Sequence, residues 1–381
     1  MSYLEYRVKT VPSGWKKVIF INWGLIALII GAACSGFAML YSVGGSWEPW
    51  ALAHIQRFSV GLFVMFIIAM TPIWIWRNIS VPIYIVALLL LLLVEFLGNT
   101  GMGAQRGINL GFINLQPSEV AKVALVMLMA AYYDWLPTDK VSKPLWVLVP
   151  IIFISVPVLL VLQQPDLGTS ILLLLSGVTL MFLAGVHWIY FGTVIALTGG
   201  FVVALFKSRG TEWQLLQDYQ FLRIDTFLDP DKDPLGAGYH ITQSKIALGS
   251  GGWTGRGFME GTQSRLNFLP EKHTDFIFTT IAEEIGFIGT ISILAIYVGI
   301  IIFCLHSALR HKERFASLLS LGLTVTFFLF FAVNMSMVMG LAPVVGVPLP
   351  LISYGGSAML VLMGAFGLIQ SAHVHRPRGN I

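Results

Sequence analysis

Apolar positions gather into ten long runs, at 19–41, 58–76, 79–97, 118–134, 145–163, 168–185, 187–206, 276–305, 316–338 and 351–371. A helix needs about 20 apolar residues to cross the hydrocarbon core of a bilayer, so each run predicts one crossing. The runs are continuous rather than alternating, which excludes a transmembrane β-barrel. Very short turns join the second run to the third and the sixth to the seventh, predicting two helical hairpins. A long, mostly polar segment, 207–275, separates runs seven and eight. The pattern predicts an all-α polytopic integral membrane protein with ten transmembrane helices and one long extracytoplasmic loop between spans 7 and 8.

Composition agrees. Of 381 residues, 56% are hydrophobic and 11% charged, whereas a soluble domain carries about 25% charged residues. Mean hydropathy is +0.80. Disorder and a disulfide scaffold are excluded. Cys34 and Cys304 lie in separate apolar runs and match no metal-ligand spacing. The first run follows a polar or mixed stretch and is too long for a signal-peptide core, so it reads as the first span.

Charge sets the orientation. Arg7, Lys9, Lys16, Lys17, Arg77, Lys140, Lys143, Arg310, Lys312, Arg314, Arg376 and Arg378 fall on one side of the ten runs, against Arg57 and Arg106 in the short loops of the other. Basic residues in short loops mark the cytoplasmic side, and a loop as long as 207–275 is largely exempt. Residues 1–18 and the tail 372–381 are therefore expected in the cytoplasm and 207–275 outside, within a single membrane domain spanning 1–381. The net charge of +4 is mostly this topological signal. No basic aromatic patch, P-loop or dinucleotide fingerprint accompanies it, so no nucleic-acid partner is expected.

The polar motifs cluster at the outer boundaries. They are His54-Ile55-Gln56-Arg57, Gln116-Pro117-Ser118-Glu119, Gln164-Pro165-Asp166-Leu167-Gly168-Thr169, His273-Thr274-Asp275 and Pro350-Leu351-Ile352-Ser353-Tyr354-Gly355-Gly356-Ser357. Each adjoins a helix N-terminus whose free N–H groups favour anions, phosphates especially. Ordinary capping accounts for the Pro–Asp and Pro–Ser–Glu motifs at least as well when each is taken singly. Five charges lie inside runs, apart from Asp134 at the very end of the fourth: Glu95, Glu119, Lys122, Glu283 and Glu284. A charge near mid-bilayer costs roughly 2.5–3.5 kcal/mol on the insertion scale. Glu119 and Lys122, at i and i+3, share a helical face and can pair. A structural ion pair and a direct substrate role weigh about equally. Asp275, Thr279 and Glu283 fall at i, i+4 and i+8 and predict a polar stripe descending from the outer surface. The glycines between Gly249 and Gly257 read as a flexible loop, residues 241–248 as helical, and Trp213, Tyr219, Phe221 and Phe227 as an amphipathic helix on the membrane.

An outward-facing group transfer needs a donor already activated and already across the membrane. A lipid-linked pyrophosphate fits: its phosphates suit helix N-termini and Lys or Arg, and its tail suits grooves between helices. Displacement of pyrophosphate from a sugar carbon needs one carboxylate to take the proton of the attacking hydroxyl, plus positive charge on the leaving group. A part-exposed Asp275 is ionised at neutral pH and can be that base.

The chain resembles the SEDS family of bacterial peptidoglycan polymerases. The resemblance rests on Gly103-Ala104-Gln105-Arg106, Asn109-Leu110-Gly111, Gln116-Pro117-Ser118-Glu119-Val120-Ala121-Lys122, Gln164-Pro165-Asp166-Leu167-Gly168-Thr169-Ser170, Asp233-Pro234-Leu235-Gly236-Ala237-Gly238-Tyr239-His240, Gln243-Ser244-Lys245, Lys272-His273-Thr274-Asp275 and Pro348-Leu349-Pro350-Leu351-Ile352-Ser353-Tyr354-Gly355-Gly356-Ser357, in the family's order. Gly261-Thr262-Gln263-Ser264 and Phe268-Leu269-Pro270-Glu271 resemble the elongation (RodA) branch more than the division (FtsW) branch. The resemblance implies a ten-span enzyme that polymerises lipid II on the outer face of the bacterial cytoplasmic (inner) membrane. A GlcNAc 4-hydroxyl attacks C1 of the donor's MurNAc with inversion and releases undecaprenyl pyrophosphate. It also implies a class B penicillin-binding protein transpeptidase and elongasome (rod-complex) proteins as partners. Asp275 matches the family's essential acid, and Glu119 with Lys122 its span-4 pair. The candidate substrate-binding residues are Arg106, Gln116, Glu119, Lys122, Asp166, Lys245, His273 and Glu283. Whether a divalent cation, Mg2+ or Mn2+, assists the leaving group stays open. The competing class is a lipid II flippase; the weighting of polar residues toward the outside favours the enzyme. A scaffold for the cross-linking partner would leave the Asp275 stripe unexplained.

The charge count makes a direct prediction. A cysteine placed at Ser208 or Thr262 is labelled by an impermeant reagent in intact spheroplasts; labelling only after permeabilisation would invert the topology.

Overall fold

The computed structural model describes residue 12 and residues 14–377, apart from 98, 102–103, 110–113, 165, 212, 215–220, 222–224, 226–228, 230–236, 267 and 269–271. Helices dominate: α1 (Trp23–Gly44), α2 (Trp50–Met70), α3 (Ser80–Leu97), α4 (Pro117–Trp135), α5 (Pro144–Gln163), α6 (Leu167–Leu183), α7 (Trp188–Ser208), α8 (Ala237–Ser250), α9 (Ile277–Leu309), α10 (Arg314–Val338) and α11 (Ser357–Val374). Among the described residues, α1, α2, α5, α9, α10 and α11 are long and apolar enough to cross a membrane. Shorter apolar stretches lie in α3, α6 and α7. The chain is a membrane protein by this measure. Between α3 and α4, strands β1 (Asn99–Gly101), β2 (Ala104–Asn109) and β3 (Asn114–Leu115) form a small antiparallel sheet in that order.

The helices stop where the sequence supplies breakers or caps. Asn22 accepts the Leu25 N–H at the start of α1, and Gly45 ends it in the left-handed region at φ 66°. Pro49 precedes α2 and Pro72 follows it. Pro117 and Pro144 occupy the first helical turns of α4 and α5, where a missing N–H costs nothing. Outward faces stay apolar, as lipid contact requires: Ile195 and Leu197 on α7 are 73% and 68% exposed.

Two boundaries differ from the sequence expectation. Helix α2 begins at Trp50, not near 58, because Trp50-Ala51-Leu52-Ala53 continues the apolar pattern; His54, Gln56 and Arg57 therefore sit within the helix. Helix α11 begins at Ser357, not 351. The stretch before it is irregular backbone, with Leu351 at a positive φ of 67°. Irregular backbone at membrane depth requires partners within the protein. Here His54 Nε2 meets the Leu351 carbonyl at 3.1 Å, Tyr297 donates to the Pro350 carbonyl, and Asn334 donates to the Val347 carbonyl at 2.7 Å.

Polar clasps tie the helix ends together. At one end Lys17 donates to the Met70 carbonyl, Gln370 exchanges two bonds with Asn22, and Ser371 donates to Thr71. There too Arg77 pairs with Asp134 at 2.8 Å, and Arg314 donates to the carbonyls of Leu136 and Ala184. Lys17, Arg77 and Arg314 of the basic set counted above lie at this end. Arg57 lies toward the opposite end.

The glycine-rich segment 249–257 is not the flexible loop expected from its composition. It is wedged into α9. Helical geometry breaks at Gly286, whose φ and ψ are 70° and −164°. At the break Arg256 and Gly257 N–H donate to the carbonyls of Glu283 and Glu284, while Phe287 and Ile288 N–H donate to Gly252 and Trp253. A Cβ at Gly255 would collide with the Glu284 carbonyl, and one at Gly286 with the Gly255 backbone, so this approach requires glycine on both sides. The break leaves 287–309 as the stretch able to cross, ~34 Å at about 1.5 Å per residue. Helix α8 takes in the expected helical residues 241–248. The expected amphipathic helix falls largely outside the described residues. Ser208 is fully buried, so exposed Thr262 is the better labelling position.

Candidate functional site

A cavity of about 450 Å3 opens at the end of the bundle where α2, α4, α6, α10 and the segment before α11 converge. Arg57, Asn114, Gln116, Glu119, Thr169, Asp275, Tyr354 and Ser357 supply its polar wall. Asp275 lies in the turn before α9, part-exposed, with a carboxylate oxygen 3.6 Å from where a Cβ on Gly346 would stand. Gly346 itself adopts a left-handed φ of 69°, which favours glycine there. The Arg57 guanidinium lies 4.6 Å from the Tyr354 ring centroid, and its buried Nη1 has no hydrogen-bond partner among the described residues. A cation and a carboxylate thus face the same small space.

Helix α4 carries the third charged feature. Lys122 donates to Glu119 at 2.7 Å, with the two residues only 2% and 8% exposed. The ammonium also lies 3.9 Å from the centroid of the Phe330 ring. The pair stands at a junction: Glu119 and Phe330 line the polar cavity and also an apolar groove, shared with Lys122, that runs between α4, α10 and α11 past Leu323, Phe327, Met359 and Leu362. One side of the junction suits charged groups, the other a hydrocarbon chain.

The predicted site residues separate into two groups. Gln116, Glu119 and Asp275 meet at the cavity, and Lys122 lines the adjoining groove. Asp166 is one bond removed. It caps α6 by accepting from Thr169 N and Oγ1 at 3.2 and 2.9 Å, and it accepts from Gln116 Nε2 at 3.3 Å. His273 stacks on Trp50 with centroids 4.6 Å apart, outside the cavity lining. Its neighbour Lys272 is buried, which draws its ammonium pKa below 10.5. Lys245 lies on α8 with its stem against Gly340. Arg106 lies on β2, and its side chain is outside the described residues.

Glu283 departs furthest from expectation. A stripe from Asp275 through Thr279 to Glu283 presumes a continuous helix with its polar face open to substrate. Instead α9 starts after Asp275, Thr279 donates back to the Phe276 carbonyl, and Glu283 is fully buried. Its carboxylate accepts from Thr262 N, Thr262 Oγ1 and Gln263 N at 2.8, 2.9 and 3.1 Å, with Arg256 at 3.9 Å. Glu284 accepts from Ser42 on α1 and from Met259 N. Both glutamates anchor the loop. Arg57 lines the cavity but is absent from the candidate set above, because starting the apolar run at 58 places it in a loop. The apolar residues 50–53 were the available signal.

The buried ion pair gives a testable consequence. Removing one partner strands a desolvated charge, while removing both does not. Lys122→Ala should therefore cost activity or folded yield out of proportion, and the double variant Glu119→Ala/Lys122→Ala should lose less than the sum of the single losses. Additive losses in a double-mutant cycle would show that the two side chains do not act as a pair.

Comparison with known proteins places this geometry. The family model for FtsW, RodA and SpoVE, described as "Cell cycle protein", matches residues 16–378. The peptidoglycan glycosyltransferase MrdB of Escherichia coli strain K12 is 42% identical over 364 residues, 95% of each chain. A chain from a peptidoglycan synthase complex, solved for the structural coordination of polymerization and crosslinking, aligns with a TM-score of 0.79 at 28% identity, covering 93% of this chain and 97% of that one. The Thermus thermophilus rod shape determining protein RodA aligns with a TM-score of 0.70 at 25% identity, covering 94% and 98%. The family match takes in every helix and loop that walls the cavity, and the chain belongs to the FtsW/RodA/SpoVE family, the SEDS family of its sequence motifs.

Proposed function

We propose that this chain is a peptidoglycan glycosyltransferase that polymerises lipid II, working in cell elongation on the outer face of the bacterial inner membrane. The observation that carries the reading is the junction of the polar Asp275–Arg57 cavity with the apolar groove beside Glu119 and Lys122. A lipid-linked sugar diphosphate has the same division, a charged head on a hydrocarbon tail. Helices α1–α7 and α9–α11 supply the ten spans, with both termini cytoplasmic and the cavity outside. The relatives' names and the synthase-complex neighbour support a class B penicillin-binding protein as the partner that cross-links the product.

In the proposed reaction the diphosphate lies near Arg57, whose guanidinium offers donors to oxygens that gain charge as the C1–O bond breaks. The tail leaves through the apolar groove. Asp275, as carboxylate, accepts the proton of the acceptor's 4-hydroxyl as its oxygen attacks C1 from the opposite face. Attack from that side inverts the anomeric centre. The new glycosidic bond replaces the bond to undecaprenyl diphosphate, which departs as the anion. Asp275 and Glu119 are the carboxylates on the described cavity wall. A divalent cation there would take oxygens from Asp275 and from the diphosphate itself, adding positive charge where Arg57 already provides it.

Asp275→Asn keeps size and shape but cannot accept the proton. It should insert and bind its partner normally while polymerisation falls at least ~10²-fold, the low end for loss of an acid–base group. Asp275→Glu should retain little, because the carboxylate moves relative to the acceptor hydroxyl. Near-wild-type glycan synthesis by well-folded Asp275→Asn would overturn the mechanism.

A further inference from the structure

Asp275 lies in the turn that precedes α9. Three successive carbonyls, those of residues 273, 274 and 275, each accept a hydrogen bond from the C-terminal third of the chain. The Tyr354 N–H donates to His273 at 3.0 Å, the Ser353 hydroxyl to Thr274 at 2.5 Å, and the Asn334 amide to Asp275 at 2.8 Å.

The donors are themselves held. Asn334, fully buried on α10, gives its amide also to the Val347 carbonyl at 2.7 Å, beside the Gly346 that the Asp275 carboxylate faces. Ser353, 4% exposed, accepts from the Leu349 N–H at 2.8 Å while it donates to Thr274. One asparagine therefore joins the two backbone segments that flank the carboxylate. One serine bridges the turn of the second segment to the first.

We infer that Asn334 and Ser353 are positioning residues for Asp275: they clamp its main chain and so fix the point from which its carboxylate reaches into the cavity. The inference rests on the reading of Asp275 as the general base. A clamp of this kind sets where the base stands relative to the acceptor hydroxyl, and a displacement near 1 Å costs about 10²-fold in rate. The plainer role, satisfying buried carbonyls, would affect stability alone.

The experiment separates the two. Purified full-length variants with their partner are assayed for kcat and KM on lipid II, and each is followed by thermal unfolding in detergent. Ser353→Ala and Asn334→Ala should lose roughly 10- to 100-fold in kcat, with KM within about 3-fold, in protein that remains folded. Ser353→Thr restores the donor and should recover kcat to within about 3-fold. Tyr84→Phe removes a comparable bond, from the Tyr84 hydroxyl to the Phe153 carbonyl at 2.9 Å between α3 and α5, and should leave kcat unchanged. The inference fails if folded Ser353→Ala and Asn334→Ala keep kcat within twofold of wild type, or if KM rises while kcat holds. Asp275→Asn, run beside them, keeps the two failures apart: if it is inactive while the clamp variants turn over normally, only the clamp is wrong; if it polymerises, the general base is wrong.

Discussion

A polar group removed from water must find its partner inside the protein, and in an apolar slab that requirement is strict. Much of the irregular structure here follows from it. Helices satisfy their own backbones, so most of the chain is helical. Wherever the backbone leaves helical geometry within the bundle, buried donors or acceptors take over. The segment before α11 is held by His54, Tyr297, Asn334 and Ser353. The break at Gly286 is filled by carbonyls and N–H groups of the 251–257 turn. Charges obey the same rule: Glu119 meets Lys122, Glu283 meets three donors of the outer loop, and Glu284 meets Ser42.

Against that background the exceptions are informative. Arg57 has a buried Nη1 with no hydrogen-bond partner among the described residues, in the cavity that Asp275 also lines. An unsatisfied guanidinium N–H is costly to keep unless water or a ligand meets it. A diphosphate meets it well, since guanidinium and phosphate match in charge and in donor geometry. The loop anchored on Glu283 and Glu284 closes onto α9 beyond Asp275, so the polar interior of α9 is committed to holding that loop rather than to lining the cavity.

How much of this the sequence disclosed depends on the range of each interaction. The apolar runs marked the helices, since burial in lipid is a property of consecutive residues. The Glu119–Lys122 pair was legible because i, i+3 spacing puts both on one face. Asp275 could be singled out from its place at the junction of a long loop and a helix. Other features depended on partners far away in the chain. Glu283 read as part of a substrate-facing stripe because nothing local shows that Thr262 and Gln263 return to it. The glycines of 249–257 read as slack because their partner, the break at Gly286, lies some thirty residues on. Asn334 carried no signal: an asparagine in an apolar helix does not announce which carbonyl it will serve.

The central claim is that the cavity performs chemistry rather than passage. Proteoliposomes holding the purified chain and its transpeptidase partner, supplied with lipid II, allow glycan polymer and transbilayer movement of the lipid to be scored in the same vesicles. The account predicts glycan strands, one undecaprenyl diphosphate released for each disaccharide added, and lipid movement no faster than in empty vesicles. Rapid movement of lipid II without polymer would contradict it and make the chain a flippase.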